Sequence, residues 1–242
     1  MHHLLRGQIK RVFLFIIILI SSVTSWAQRE INRPNHDDLL YYFGITLGYN
    51  STFLHPTKST RFLQDDSILV AQPGSSGGIT LGLLGTARLS DRLQLRINPQ
   101  LIIGGAKYFS YTLGSRLPSE AETQKKILPS TLVSLPIHFK FNSDRIDNFR
   151  VYLLGGVRFD KDLSSNSTAR NAEDLIKLKG SDFALEGGIG FNLFLRFVTI
   201  SPEIKFTYGL TDIHQRDATL KYSSVFDKIQ SRMISFSIHF ED

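Results

Sequence analysis

The stretch Tyr41-Tyr42-Phe43-Gly44-Ile45-Thr46-Leu47-Gly48-Tyr49-Asn50 decides the fold class. In an extended chain Tyr41, Phe43, Ile45, Leu47 and Tyr49 fall on one side, and Tyr42, Gly44, Thr46, Gly48 and Asn50 on the other. This period-2 pattern marks a strand with one apolar face. Seven later segments repeat it. Ile79, Leu81, Leu83, Gly85, Ala87 and Leu89 oppose Thr80, Gly82, Leu84, Thr86 and Arg88, and Leu93, Leu95, Ile97, Pro99, Leu101 and Ile103 oppose Gln94, Arg96, Asn98 and Gln100. Leu135 to Phe141, Phe149 to Phe159, Phe183 to Leu193, Ile200 to Leu210 and Ile234 to Phe240 alternate in the same way, with Lys140, Arg150, Arg158, Glu186, Glu203, Lys205 and His239 on their polar sides. No helical period runs longer than about two turns, so the chain is expected to be all-β and antiparallel.

Eight strands of roughly ten residues match the length that crosses a bilayer at about 45° tilt. The connections support the same reading. Ser90–Arg92, Asn142–Asn148 and Leu195–Val198 are short, whereas Ser51–Ser76, Thr112–Pro129, Lys161–Ser181 and Thr211–Lys228 are long and polar. Outer-membrane barrels alternate short periplasmic turns with long extracellular loops. A water-soluble barrel or sandwich would alternate too, so the composition of the two faces has to decide. The apolar face carries no charge in any segment, and aromatic residues stand near strand ends, as interfacial girdles require. The polar face mixes charges of both signs with Gly44, Gly48, Gly82, Gly188, Gly190 and Gly209. Glycine weakens a solvated strand by roughly 0.5–1 kcal/mol but suits a narrow, crowded lumen. The expectation is an eight-stranded antiparallel transmembrane β-barrel over residues 41–242, placed in a bacterial outer membrane.

Outward from the strands, the N-terminus reads as an export signal. Arg6, Lys10 and Arg11 precede the nine apolar residues Val12–Ile20, and Ser25 and Ala27 supply small residues before a cleavage site between Ala27 and Gln28. Nine apolar residues are too few for a membrane helix, which needs roughly 20. Residues 1–27 are therefore expected to be removed, leaving 28–40 as a periplasmic N-terminal segment. The formal charge of +6 shrinks with it, because three of the 28 Lys+Arg and none of the 22 Asp+Glu lie in the signal, leaving +3. No basic run with interleaved aromatics remains to suggest nucleic acid. The 27 aromatic residues exclude a disordered chain, and the absence of cysteine excludes disulfides, thiolate chemistry and cysteine-bound metals.

On the barrel reading Arg88, Arg96, Lys140, Arg150, Arg158 and Lys205 point into the lumen together with Glu186 and Glu203. An eight-stranded interior is just wide enough to be filled by side chains, so these charges are expected to interlock as ion pairs. Six cations face two acids by this count, leaving loop acids or lipopolysaccharide phosphates to complete the pairing. Gly74-Ser75-Ser76-Gly77-Gly78 matches G-x-S-x-G but precedes a strand, whereas that motif needs a strand before it and a helix after it. Neither the histidines nor the carboxylates show metal-ligand spacing. The expectation is a protein without catalytic residues, metal or cofactor and with no evident small-molecule substrate. Two other classes stay open, a lipid-modifying enzyme using His55, Ser76 or His214 at the extracellular rim, and a passive anchoring barrel.

The first strand, together with Leu135-Pro136-Ile137-His138-Phe139-Lys140-Phe141, Tyr152-Leu153-Leu154-Gly155-Gly156-Val157-Arg158-Phe159-Asp160 and Ser201-Pro202-Glu203-Ile204-Lys205, resembles the PorT family of Bacteroidetes outer-membrane barrels. The likeness runs from about Asp38 to Asp242. It implies an accessory component of the type IX secretion system, needed to export cargo bearing a C-terminal signal and, in gliding species, motility adhesins. Other secretion subunits, outer-membrane lipid and lipopolysaccharide are the implied partners, and the family brings no catalytic residues. The chain ends Phe240-Glu241-Asp242 where many outer-membrane barrels end on Phe. Phe236, Ile238 and Phe240 are therefore taken as the assembly-signal strand.

Overall fold

The computed structural model describes residues 30–59, 68–104, 107–113, 123–128, 130–164, 178–215 and 226–242. The expected signal segment 1–27 and the expected cleavage site between Ala27 and Gln28 lie outside them. Every described element falls in the unit Asn32–Asp242. After a 3-10 helix over Pro34–Asp38, the strands are β1 (Tyr41–Lys58), β2 (Ile68–Gly74), β3 (Ser76–Arg88), β4 (Leu93–Ile97), β5 (Gln100–Gly104), β6 (Lys107–Leu113), β7 (Thr123–Leu128), β8 (Thr131–Asn142), β9 (Phe149–Asp162), β10 (Ser181–Phe194), β11 (Thr199–Gly209) and β12 (Phe226–Glu241).

β4 and β5 are two pieces of one crossing, since both pair with β3 on one side and β8 on the other. The break is at Asn98-Pro99, where proline has no N–H to give to a ladder. Its carbonyl still accepts from Leu83 N at 2.9 Å, and Asn98 N donates to Pro136 O at 3.1 Å. Counted this way, eight antiparallel crossings follow one another in the order β1, β3, β4/β5, β8, β9, β10, β11, β12. β12 pairs back onto β1 from Gly44↔Glu241 to Lys58↔Phe226. The ring closes, which removes every sheet edge inside the hydrocarbon.

Side chains alternate as the sequence implied, with the apolar set turned outward. Phe43, Ile45, Leu83, Leu135, Phe159, Leu185, Ile204, Phe206 and Phe236 are exposed, while Asn50, Lys140, Asn142, Ser201, His239 and Glu241 are buried. Exposed apolar strands around a polar interior invert a soluble barrel, and only a lipid surround makes that arrangement favourable. Phe149 with Phe191 and Phe159 with Phe183 pair across β9 and β10 with ring centroids 5.5 and 5.1 Å apart. These contacts are worth about 0.5–1.5 kcal/mol each beyond area burial.

The sequence reading is corrected at the long-loop end, where strand structure replaces part of each expected loop. β1 runs on to Lys58 and β12 starts at Phe226, and β2, β6 and β7 form a separate sheet in the order β2-β6-β7. The cause is apolar burial away from the lipid. Leu54, Ala71, Phe109, Tyr111, Leu128, Leu178, Ile213, Phe226 and Ile229 form one buried cluster, with the Phe109 and Phe226 rings 4.8 Å apart. This core lies over the mouth of the barrel, where the sequence alone suggests open loops.

Candidate functional site

Inward positions stack three groups of charge between the two ends. At the short-turn end, residues 32–38 enter the mouth. Asn32 N donates to Asn148 Oδ1 at 2.8 Å and its side-chain amide to Phe194 O at 3.0 Å. Arg33 Nη1 donates to Glu241 O at 3.0 Å, and Nη2 pairs with the Asp242 carboxylate at 3.3 Å. Arg33 turns the chain there with φ 51° and ψ 57°, a left-handed conformation uncommon for a residue with a Cβ. His36 is buried against the rings of Tyr42 and Phe194, 4.9 and 5.6 Å away. Burial first, and then the Arg33 charge, lowers its pKa below the usual histidine value. Asp37 accepts from Arg150 at 2.8 Å and Arg145 at 3.4 Å, and its carbonyl accepts from Arg88. Arg145 also donates to the carbonyls of Asn32 and Arg33.

Asp37→Ala therefore removes the shared anchor of two guanidinium groups. It is expected to cost about 1–2 kcal/mol and to speed protease cleavage between Gln28 and Leu40, which limited proteolysis with mass spectrometry reads.

Deeper in the lumen, Arg96 bridges Glu203 at 2.8 Å and Glu241 at 2.7 Å. Lys205 and His239 each stand 3.3 Å from Glu203, and Lys140 stands 3.9 Å from Glu241. Tyr152 donates its hydroxyl to Glu203 at 2.9 Å, and its ring lies under Lys140 Nζ at 4.1 Å. Lys140 also donates to Asn192 Oδ1 at 3.2 Å. The next group is built on Arg158, whose Nε meets Asp160 at 2.6 Å and whose Nη1 meets Glu186 at 3.0 Å. Glu186 further binds His138 Nε2 at 2.7 Å and the Thr207 hydroxyl at 2.6 Å.

Glycines make these bridges possible. Gly156 on β9 is the register partner of both His138 on β8 and Glu186 on β10, so the His138–Glu186 bond passes directly over it. Gly190 on β10 likewise lies between Tyr152 and Glu203, under their hydrogen bond. A Cβ at Gly190 would meet the Tyr152 ring and hydroxyl and stand 2.8 Å from Pro202 O. The lumen thus uses side chains two strands apart, and the strand between has to be bare.

Of the eight lumen residues expected from the sequence, Arg96, Lys140, Arg158, Glu186, Glu203 and Lys205 come together in the two inner groups. Arg88 and Arg150 do not. They sit at the turn-end mouth, where Arg88 meets Asp91 and Asp38 and Arg150 meets Asp37. The expected surplus of cations is also corrected. Glu241 and Asp160 complete the inner pairing, and Asp37, Asp38 and Asp91 serve the mouth. The alternation Phe236, Ile238, Phe240 turns Glu241 inward, a signal legible in the sequence. Asp37, outside any periodic segment, offered none. Phe236, Ile238 and Phe240 line the outward face of β12 beside β1.

Between the Arg158 group and the apolar cap lies a cavity of about 30 Å³ lined by Lys107, Asp160, Asp162, Asp182 and Ser231, among others. That volume suits about one water molecule. Lys107 is buried there, and desolvation lowers its pKa although Asp162, Asp160 and Asp182 oppose the shift. Among the described residues, no three His, Asp or Glu side chains have a metal-holding arrangement. His55 lies outward on β1 opposite Gln230, Ser76 opens β3 opposite Thr52, and His214 is buried beside Leu178.

A sequence model for the outer membrane protein beta-barrel domain matches residues 26–215. Among solved structures the chain is similar to Neisserial surface protein A, with 13% identity, 82% of this chain and 95% of that one covered, and a TM-score of 0.44. It is also similar to OprG of Pseudomonas aeruginosa, with 15% identity, 82% and 94% covered, and a TM-score of 0.41. The attachment invasion locus protein Ail of Yersinia pestis follows at 9% identity, 84% and 100% covered, and a TM-score of 0.38. No curated protein sequence matches the chain. A closed antiparallel sheet with apolar residues outward, matched by the family over most of its length, makes this chain an outer-membrane protein belonging to the outer membrane protein beta-barrel domain family.

Proposed function

We propose that the protein is a non-catalytic scaffold of the type IX secretion system, required for cargo with a C-terminal signal to cross the outer membrane and for surface adhesins in gliding species. The observation that carries the scaffold reading is the filled lumen. Arg96, Lys140, Arg158, Glu203 and Lys205 are each no more than 2% exposed, so no polypeptide passes through this barrel. The resemblance of Tyr41–Asn50, Leu135–Phe141 and Tyr152–Asp160 to the PorT family supports the pathway. Contacts with other secretion subunits fall to the surfaces outside the hydrocarbon, since binding residues concentrate on loops held by a rigid frame. On the extracellular side these are the β2-β6-β7 sheet and the segments around Ser51–Ser76 and Lys161–Ser181, parts of which lie outside the described residues. Outer-membrane lipid and lipopolysaccharide surround the strands.

Deleting the gene is expected to leave signal-bearing cargo in the periplasm, read by fractionation and immunoblotting, with export restored by the wild-type gene in trans. Normal export in the deletion strain overturns the assignment.

A further inference from the structure

The outer face of the β1–β12 seam changes character near its loop end. Along β12 the outward column runs Phe240, Ile238, Phe236, Ile234 and then Arg232, Gln230 and Lys228. On β1 it runs Tyr49, Ser51, Phe53, His55 and Thr57. The register sets Phe53 against Arg232, His55 against Gln230 and Thr57 against Lys228, so His55 is the diagonal neighbour of both cations. β11 meets Arg232 from the other side with Tyr208. The Arg232 guanidinium carbon lies 3.4 Å from the centre of the Tyr208 ring, and Tyr208 itself is an exposed, outward aromatic.

Arg232 is held in place by its backbone neighbours. Nη1 donates to Gly209 O at 3.1 Å and to Ser231 O at 2.8 Å, and Gln230 Nε2 donates to Gly209 O and Leu210 O at 3.2 and 3.3 Å. These bonds occupy Nη1 and leave the Nε–Nη2 edge, the parallel fork that takes two oxygens of one phosphate. Neither Arg232 nor Lys228 has an ion-pair partner among the described residues.

We infer that this face of the seam, with Arg232 at its centre and Lys228 and His55 beside it, binds the phosphate of a phosphorylated lipid in the outer leaflet. The column itself fixes the depth. Ile234 and Phe236 lie in hydrocarbon, so the next outward residues stand in the headgroup layer, where a guanidinium stacked on an interfacial aromatic meets lipid phosphate. A soluble anion would have no need of the apolar column directly beneath. The inference rests on membrane placement alone and is independent of the secretion pathway.

The test uses the full mature protein folded in detergent, with lipid retention read by native mass spectrometry. The probes are bis-phosphorylated lipid A, the same lipid stripped of phosphate, and inorganic phosphate. Wild type is expected to hold the phosphorylated lipid about tenfold more tightly than the stripped one, the scale of a lost bidentate charge-assisted pair. Inorganic phosphate at millimolar concentration should not displace it. The double variant R232Q/K228Q is expected to lose that preference and R232K to keep part of it. K228Q alone leaves the Arg232 bonds to β11 untouched and is expected to weaken retention with the gel mobility of the folded barrel unchanged. Equal retention of both lipids by wild type, an unchanged preference in R232Q/K228Q, or displacement by inorganic phosphate overturns the proposal.

Discussion

Arg96→Met is expected to destabilise the folded barrel by about 3–5 kcal/mol, the usual cost of breaking a buried ion pair from one side. Arg96 is the shared partner of Glu203 and Glu241, both buried. Removing it leaves two buried carboxylates with one strong donor fewer. Lys205, His239 and Tyr152 remain on Glu203, but among the described residues the Glu241 carboxylate keeps the more distant Lys140. The triple variant R96M/E203Q/E241Q removes the orphaned charges and is expected to recover much of the loss. Folded and unfolded forms in urea can be followed by their separate mobilities on unboiled gels. The sole tryptophan, Trp26, precedes the barrel strands, so tryptophan fluorescence does not report on them. A single variant as stable as wild type would mean that the lumen network does not hold the barrel together.

The second large effect is expected at Gly156. A Cβ there would land on the Ile137 carbonyl oxygen and lie 2.8 Å from His138 Cα. Valine would also fill the space beneath the His138–Glu186 bond. Either β8 moves away from β9 or the bond breaks, and breaking it disturbs Glu186 just where Arg158 and Thr207 depend on it. Gly156→Val is expected to cost about 3 kcal/mol, the upper range for overpacking, and to reduce the amount of folded barrel in the membrane. Gly155→Val makes the control. Gly155 faces lipid, and a Cβ there meets nothing nearer than Glu186 O at 4.0 Å. It is expected to be neutral or slightly stabilising, since a β-branched residue replaces glycine in a strand. Equal losses in the two variants would show that the crowding argument is wrong.

Why glycine is frequent on one face of these strands was legible only in part. Alternation in Tyr41–Asn50 and its seven repeats identified the strands, and the charge-free apolar face identified lipid as their surround. The sequence also pointed to a crowded lumen. What it lacked was register, because a bridge such as Tyr152–Glu203 over Gly190 depends on which residues of three strands stand level. Arg88 and Arg150 lie on the polar face that alternation marks, but at the turn-end mouth and apart from the inner groups, since alternation fixes side and not height. The turn-end plug around Arg33 and Asp37 is a single turn of 3-10 helix stabilised by long-range hydrogen bonds, and no periodicity announces it. The β2-β6-β7 sheet was hidden for a different reason. Its strands are short, six or seven residues each, and bury only a few residues, such as Ala71, Phe109, Tyr111 and Leu128.

On the proposed function, this outer-membrane barrel, filled by its own side chains, serves as a scaffold and not as a conduit. Single-channel recording tests it most directly. The refolded mature protein, inserted into a planar bilayer in high salt, is expected to leave the membrane electrically silent at potentials that keep other barrels open. Discrete, long-lived conductance steps from the wild-type protein would contradict the account, because they require an aqueous path past Arg96, Arg158 and Tyr111 that the packed lumen and its apolar cap do not provide.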